Sequence, residues 1–383
     1  MLTVYHNHKG YPEQRNILVS HPNIKHVQEY DIFKTLAHIN FKLRKKVSTN
    51  LLNSHFNPFS LHKKNTIRHF FNGISYNRSP WVTTFETFVP RYTSPMLSSL
   101  GIKRLASKHC EKIIALSTCS YKIQLNYLKE HYPQHYCTIK EKMIVLHPPQ
   151  KLIVNNIEQK SNIKALAGSN PQIVFTFVGN QFFGKGGREV LTVFKKLCAE
   201  NPNITLNIIS NFSPDSYASH TTQQDVQHLR QELSQLPENI KILGTISNEE
   251  VIKTLCHSHV ALLPTYADTY GYFVLEAQAC GCPVVTSDIR ALPEINNNEC
   301  GWLINVIKDE NGNAILNTSE QRKIFSKEIM EQLAQIIEQI IKNPLEIIVK
   351  GKKAIKRIKN IHSPNQHANQ LYKVYSNSVK EKI

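Results

Sequence analysis

The sequence predicts an α/β protein made of two doubly wound parallel sheets. Short β-rich runs alternate with helical patterns in both halves, as they do where crossover helices join parallel strands. At 383 residues the chain is long enough for two domains with separate cores. A less regular stretch at 148–171, holding Pro148-Pro149 and "NNIEQKSN", reads as the linker. Hydrophobic residues are 41% and charged residues 20%, a globular rather than a disordered balance. No run approaches the roughly 18 apolar residues of a membrane span. The opening "MLTVYHNHKGYPEQ" lacks the basic, apolar and small-residue order of a secretory leader, so a cytoplasmic chain is expected.

Taken in order, strands are expected where β-branched and aromatic residues cluster. In the first half these are 16–20 ("NILVS"), 66–71 ("TIRHFF"), 81–86 ("WVTTFE"), 112–118 ("KIIALST") and 143–147 ("MIVLH"), with helices at 30–45 and 119–131. The second half is more regular, with strands at 172–179, 204–210, 240–245, 260–266 and 282–288. Helices alternate with them near 186–200, 222–235, 247–257 and 272–280, each with apolar residues at helical spacing. A long amphipathic helix follows at 319–342 and a last one at 365–380. The domains are therefore drawn as 1–160, 161–363 and a terminal helix at 364–383.

Charge is divided unevenly. Residues 1–165 carry 24 Lys and Arg against 8 Asp and Glu, while 166–383 carry 22 against 21, so almost all of the net +17 lies in the first domain. Clusters at 42–46 ("KLRKK"), 62–69 ("HKKNTIRH") and 103–112 ("KRLASKHCEK") concentrate it. An anionic leaflet is worth about 1 kcal/mol per nearby cation, and nucleic acid would be drawn by the same field. No RNA-binding aromatic motif or zinc-finger spacing accompanies the charge, and the "HNH" at 6–8 lacks the further residues a nuclease needs. Eight scattered cysteines without CxxC spacing read as reduced core thiols, with no metal expected.

Chemistry concentrates at two strand-to-helix turns. In "DTYGYFVLE", Asp268 and Glu276 stand eight positions apart around Tyr270, Gly271, Tyr272 and Phe273, after the strand ending in Pro264 and on the helix that follows. A helix start supplies unpartnered N–H groups and a favourable dipole for an anion. Two carboxylates cannot hold that anion, but they can accept hydrogen bonds from hydroxyls on either side of it, which suits a nucleotide sugar. The second turn, "VGNQFFGKGGREV", carries Gly179, Asn180, Gly184, Gly186 and Gly187 before another helix, with Lys185 as a point charge for phosphate oxygens. It is neither a P-loop nor a GxGxxG fingerprint. Both turns fall at carboxyl ends of strands, where ligands bind in such sheets.

From 178 to 306 the chain resembles family-4 retaining glycosyltransferases of the GT-B fold. The resemblance rests on "VGNQFFGKGG", "IKILGTISNEEV", "PTYADTYGYFVLEAQACGCPVVTSD" and "LPEI…CGWLINV", in family order and spacing. It implies two Rossmann-like domains facing a cleft, a last helix crossing back to the first domain, and a nucleoside-diphosphate sugar as donor with no separate cofactor. By resemblance Glu276 accepts from the ribose hydroxyls, Lys185 contacts the diphosphate, Asp268 holds donor-sugar hydroxyls, residues 270–273 offer amides, and Leu243, Gly244 and Ile246 lie beside the base. Asp268 stands where the family usually has Glu. Asn180 replaces a phosphate-binding Arg, leaving Lys185 as the main cation unless Arg188 assists. Glu86 replaces the usual His, either accepting from an acceptor hydroxyl or pairing with Arg91. The expected reaction is metal-independent sugar transfer to a glycan or lipid-linked acceptor in lipopolysaccharide, capsule or other surface-glycan assembly, with the basic domain on an anionic inner-membrane surface. A sugar-nucleotide epimerase of the same fold and a nucleic-acid binder are the alternatives.

Overall fold

Runs such as "IVFTFV" and "VALL" are apolar on both faces, as strands covered on both sides by helices must be. The computed structural model describes residues 1–7, 10–60 and 64–380, with Lys380 alone described only by its backbone. His8 of the "HNH" stretch and His62 and Lys63 of the second basic cluster lie outside the described residues. The chain divides into two units, Met1–Pro149 with His362–Ile383, and Gln150–Ile361.

The first unit runs β1 (Leu2–His6), α1 (Tyr11–Asn16), β2 (Ile24–Gln28), α2 (Ile32–Arg44), α3 (Thr49–Leu52), β3 (Ser54–His55), β4 (Thr66–Phe71), β5 (Ile74–Ser75), β6 (Trp81–Phe85), α4 (Pro95–Ala106), β7 (Cys110–Ala115), α5 (Thr118–His131), α6 (Tyr136–Lys142) and β8 (Met143–Val145). Its main sheet has the order β2-β1-β4-β6-β7-β8, all parallel, and β3 pairs with β5 beside it. The second unit runs β9 (Ile173–Val178), α7 (Gly187–Glu200), β10 (Ile204–Ile209), α8 (Gln223–Leu233), β11 (Ile240–Gly244), α9 (Asn248–His257), β12 (Val260–Leu263), α10 (Tyr272–Ala279), β13 (Val284–Ser287), α11 (Leu292–Ile295), β14 (Trp302–Ile304), α12 (Ser319–Lys342) and α13 (Leu345–Ile361). Its sheet, β11-β10-β9-β12-β13-β14, is also wholly parallel. The last helix, α14 (Pro364–Lys380), belongs to the first unit.

Helix starts follow their capping chemistry. Thr222, Ser247 and Thr318 close reciprocal capping boxes with Asp225, Glu250 and Gln321 at the starts of α8, α9 and α12.

Several sequence expectations are corrected. Residues 16–20 are not a strand: Ile17 and Leu18 donate to Glu13 O and close the end of α1, while Ile17 is buried without pairing. The strand is instead β1, alternating buried and half-buried along "LTVYH". Polar β2 and the three-residue β14 were also not expected, since neither carries a long apolar period, and Lys-rich α13 was missed although Ile347, Ala354, Ile355 and Ile358 recur at helical spacing. The first boundary falls at 150 rather than 160, because Ile153 and Val154 both donate to Ala279 O at 3.0 Å and Ile157 is fully buried within the second unit.

The terminal helix is built into the first core. Leu371 and Tyr375 are buried with Leu2, Val4, Ile67, Val82 and Ile114. The Tyr375 hydroxyl lies 2.6 Å from His69 Nδ1, and Thr84 Oγ1 lies 2.7 Å from its Nε2. Burial pushes His69 down to about 3, with His26, His367 and His6 adding repulsion. All eight cysteines are free thiols.

Candidate functional site

The turn after β9 is held by its own aromatics. Phe182 and Phe183 are buried, Phe182 edge-on to Phe177, and this pins residues 179–187 to the sheet. Gly186 has φ +78, and a Cβ there would stand 2.0 Å from Pro264 O, so only glycine fits. A Cβ on Gly179 would meet the Lys185 stem at 2.9 Å. The small residues thus bring β9, β12 and the lysine into contact.

The turn spends its amides on itself. Lys185 N donates to Gln181 O at 2.9 Å, Gly186 N to Phe183 O at 3.0 Å and Gly187 N to Phe182 O at 2.8 Å. Of the turn expected to offer its amides to a phosphate, residues 185–187 thus have their N–H groups engaged within the turn. What the turn delivers is the Lys185 ammonium.

That ammonium donates to Asp268 Oδ2 at 2.7 Å and to Ala267 O at 3.1 Å, while Asp268 Oδ1 accepts from Tyr270 N at 3.1 Å. Lys185 and Asp268 come from neighbouring strands β9 and β12, and both side chains are about four-fifths buried, at 22% and 17% exposure. They line a cavity of about 190 Å³ with Gly184, Gln181, Asp215 and Arg290. Asp215 is also tied down: burial alone would raise its carboxyl, but backbone N–H groups of Ser219, Tyr217 and Ala218 outweigh that and hold it below the usual carboxylate range. A polar cavity of about 460 Å³ adjoins, sharing Tyr217, Ala218, Ala267 and Arg290. Behind it, Tyr266 and Ser326 hydroxyls both donate to Glu189 Oε1 at 2.6 Å, and burial raises the Glu189 carboxyl. This group joins α7, the end of β12 and α12 beneath the cavity floor.

The other residues singled out in the sequence do not line this cavity. Gly271, at φ +90, caps α10, and its carbonyl accepts from Val274 N at 2.9 Å. Glu276 follows one turn later, half-buried. Tyr270 is buried against Tyr272, with Phe273 half-buried. Asn180 is exposed, and its carbonyl accepts from Ser213 Oγ at 2.9 Å. Leu243 and Ile246 flank the end of edge strand β11, where Gly244, at φ +69, leaves open space. Arg188 does not assist Lys185; it is an ion pair with Glu232. Sequence reasoning missed Asp215 and Arg290, which lie in stretches without a motif, and Glu189, which stands at the end of the glycine turn as one more helix residue.

In the first unit, Glu86 follows β6 directly and pairs with Arg91 Nη1 at 3.0 Å. Its amide donates to Asn72 Oδ1 at 3.3 Å. Asn72 follows β4 and Asn7 follows β1, so three adjacent strands end in polar residues. Asn7 and Asn72 line a cavity of about 200 Å³ with Asp31, Lys34 and His55. His55 Nδ1 lies 2.7 Å from Asp31 Oδ2, and Asp31 also caps α2 by accepting from Phe33 N at 3.0 Å. Among the described residues no three His, Cys, Asp or Glu side chains converge as a metal site would require.

Two wholly parallel α/β units with a last helix in the first define the GT-B architecture. The Anabaena protein HepE, in a crystal structure with UDP, shares it over 98% of this chain and 100% of its own at 14% identity, with TM-score 0.58. The family pattern for Glycosyl transferases group 1 matches residues 158–361, and the chain belongs to that family. The phosphatidylinositol N-acetylglucosaminyltransferase gpi3 subunit of Schizosaccharomyces pombe is 21% identical over 153 residues, 39% of this chain and 32% of that one. An uncharacterized 41.2 kDa protein in the cps region of Klebsiella pneumoniae is 28% identical over 211 residues, 53% of this chain and 50% of its own. The chain thus spans 32% to 50% of the length of these curated relatives.

Proposed function

We propose that the chain is a retaining glycosyltransferase that moves a hexosyl group from a nucleoside diphosphate to a glycan or lipid-linked acceptor in surface-glycan assembly. The observation that carries the reading is the Lys185 ammonium held beside Asp268 at the carboxyl edge of the second sheet. As the acceptor oxygen bonds to the anomeric carbon, the bond from that carbon to the diphosphate breaks, and the acceptor's hydroxyl proton ends on the departing phosphate. Negative charge grows on the leaving group, where a fixed cation stabilises the transition state more than the ground state. Asp268 would accept from donor-sugar hydroxyls, Glu276 from the ribose, and the start of α10 would offer its amides. Leu243, Gly244 and Ile246 would take the base. No metal or cofactor enters this scheme, so chelation with EDTA should leave turnover unchanged.

Thermal shift across nucleoside diphosphates and their sugars tests the donor site. A ligand at 100 times its Kd adds about 2.7 kcal/mol, which at about 2–4 °C per kcal/mol for a domain of this size is a rise of roughly 5–11 °C. No rise with any nucleotide would overturn the reading.

The acceptor is assigned to the first unit's carboxyl-edge cavity around Asn7, Asp31 and His55, with Glu86 as its flanking acid. Helix α2 starts at that cavity and leaves Leu36, Ile39 and Leu43 exposed at helical spacing, with Lys42, Arg44, Lys45 and Lys46 at its basic end. An apolar stripe among cations suits the cytoplasmic face of an anionic bilayer. Four such cations are together worth about 4 kcal/mol. Vesicles containing phosphatidylglycerol should sediment the protein, pure phosphatidylcholine should not, and Leu43→Asp should weaken the first; equal binding to both vesicle types would count against it.

A further inference from the structure

Resting on the donor reading above, we propose that Arg290 binds the diphosphate together with Lys185, as the second cation of that site. The two side chains line the same 190 Å³ cavity, although nothing local in the sequence links them. A nucleotide sugar carries negative charge on each of its two phosphates, and the single charge of Lys185 is already shared with Asp268. Three other cations of this unit are ion-paired: Arg188 and Lys195 with Glu232, and Lys308 with Asp288. Arg290 has no carboxylate within ion-pair distance among the described residues. Its side chain meets only neutral partners, Nε donating to Asn313 Oδ1 and Nη2 to the Tyr217 hydroxyl at 3.4 Å. A half-buried guanidinium whose hydrogen-bond partners are neutral, facing an open cavity that Asp215 and Asp268 also line, is suited to an oxyanion, whose oxygens its planar fork can hold in pairs.

The backbone points the same way. Arg290 has φ 45, a left-handed conformation uncommon for a side chain of this size. It is imposed from outside: Arg290 N donates to Gly312 O at 2.8 Å, and Asn313 holds Nε, both from the turn that Asp309 closes by accepting from Asn311 N and Asn313 N. That turn belongs to the connection between β14 and α12, residues 305–318, longer than ordinary connections in such folds. His220, also left-handed, lines the adjoining 460 Å³ cavity with Arg290, in the long connection between β10 and α8. Strain held in place by surrounding structure is characteristic of ligand clamps. Two extended loops therefore meet at one arginine and hold it at the junction of the two cavities.

The test is calorimetric titration of the full chain with UDP and with uridine, repeated with GDP, ADP and TDP and their nucleosides. For the diphosphate that the wild type binds, Arg290→Gln should weaken affinity roughly 10- to 150-fold, the worth of one hydrogen bond to a charged group. Arg290→Lys should recover part of it, and nucleoside affinity should stay unchanged in both. Arg290→Gly adopts φ 45 freely, so its melting temperature should hold or rise while diphosphate affinity falls. Wild-type affinity in Arg290→Gln, or equal loss for diphosphate and nucleoside, would overturn the role of Arg290 and leave the donor reading standing. A wild type that binds no nucleoside diphosphate would overturn both.

Discussion

At the scale of single residues, the site depends on where a few charges are placed and what already occupies them. Lys185 and Asp268 are each other's partners, so a donor entering the cavity would exchange one set of hydrogen bonds for another rather than meet bare charges. Glu276 belongs to a different part of the edge, on α10, and its proposed ribose contact can be measured separately. Loss of a charge-assisted hydrogen bond costs about 1.5–3 kcal/mol, so Glu276→Ala should weaken nucleotide and nucleoside alike by roughly 10- to 150-fold. An unchanged titration with either would remove Glu276 from the site. Motifs made all three of these residues visible in the sequence. Arg290 was not visible, because its left-handed φ and the neutral partners of its guanidinium are set by Gly312, Asn313 and Tyr217, none of them near it in the chain. A positive charge in "SDIRALPEI" by itself looks like any surface arginine.

At the scale of elements, the alternation of apolar runs and helical periods located every strand of the second sheet except β14, which has only three residues. The glycine turn shows both the reach and the limit of such reading. Its glycines were legible as a close approach, but which chain approaches them was not. The neighbour of Gly186 is Pro264 O, from the end of β12. Gly186→Ala should therefore cost about 1 kcal/mol for its φ and roughly 1–3 kcal/mol more for overpacking, read as a lower urea midpoint with an unchanged slope. A midpoint equal to wild type would mean that the β9 and β12 turns do not touch in this way. Helix α2 makes the complementary point. Its basic end was evident in the sequence, whereas the exposure of Leu36, Ile39 and Leu43 depends on what packs over them.

At the scale of the whole molecule, the terminal helix ties the end of the chain to its beginning through buried histidines. His69 sits between Tyr375 and Thr84, and its burial holds it down to about 3. His26 and His367 in the same unit are also lowered, chiefly by burial. The folded protein keeps His69 neutral, while the unfolded chain takes a proton below about 6.5. Its stabilising contribution is therefore complete above about pH 6.5 and declines as pH falls toward about 3, by up to about 1.4 kcal/mol per pH unit. Melting temperature should drop between pH 7 and pH 4.5, with a shallower decline in His69→Gln; a flat profile in the wild type would contradict the buried neutral imidazole. The sequence by itself determined the α/β class, the two sheets, the charge of the first domain and the two turns, because these are written in local period, composition and glycine spacing. Only the tertiary structure decided that the amides of 185–187 are engaged within their turn, that Arg290 shares the cavity of Lys185, and that residues 150–160 belong with the second unit. Each of those depends on contacts between segments distant in the chain, and local periodicity carries no information about which distant segment will arrive.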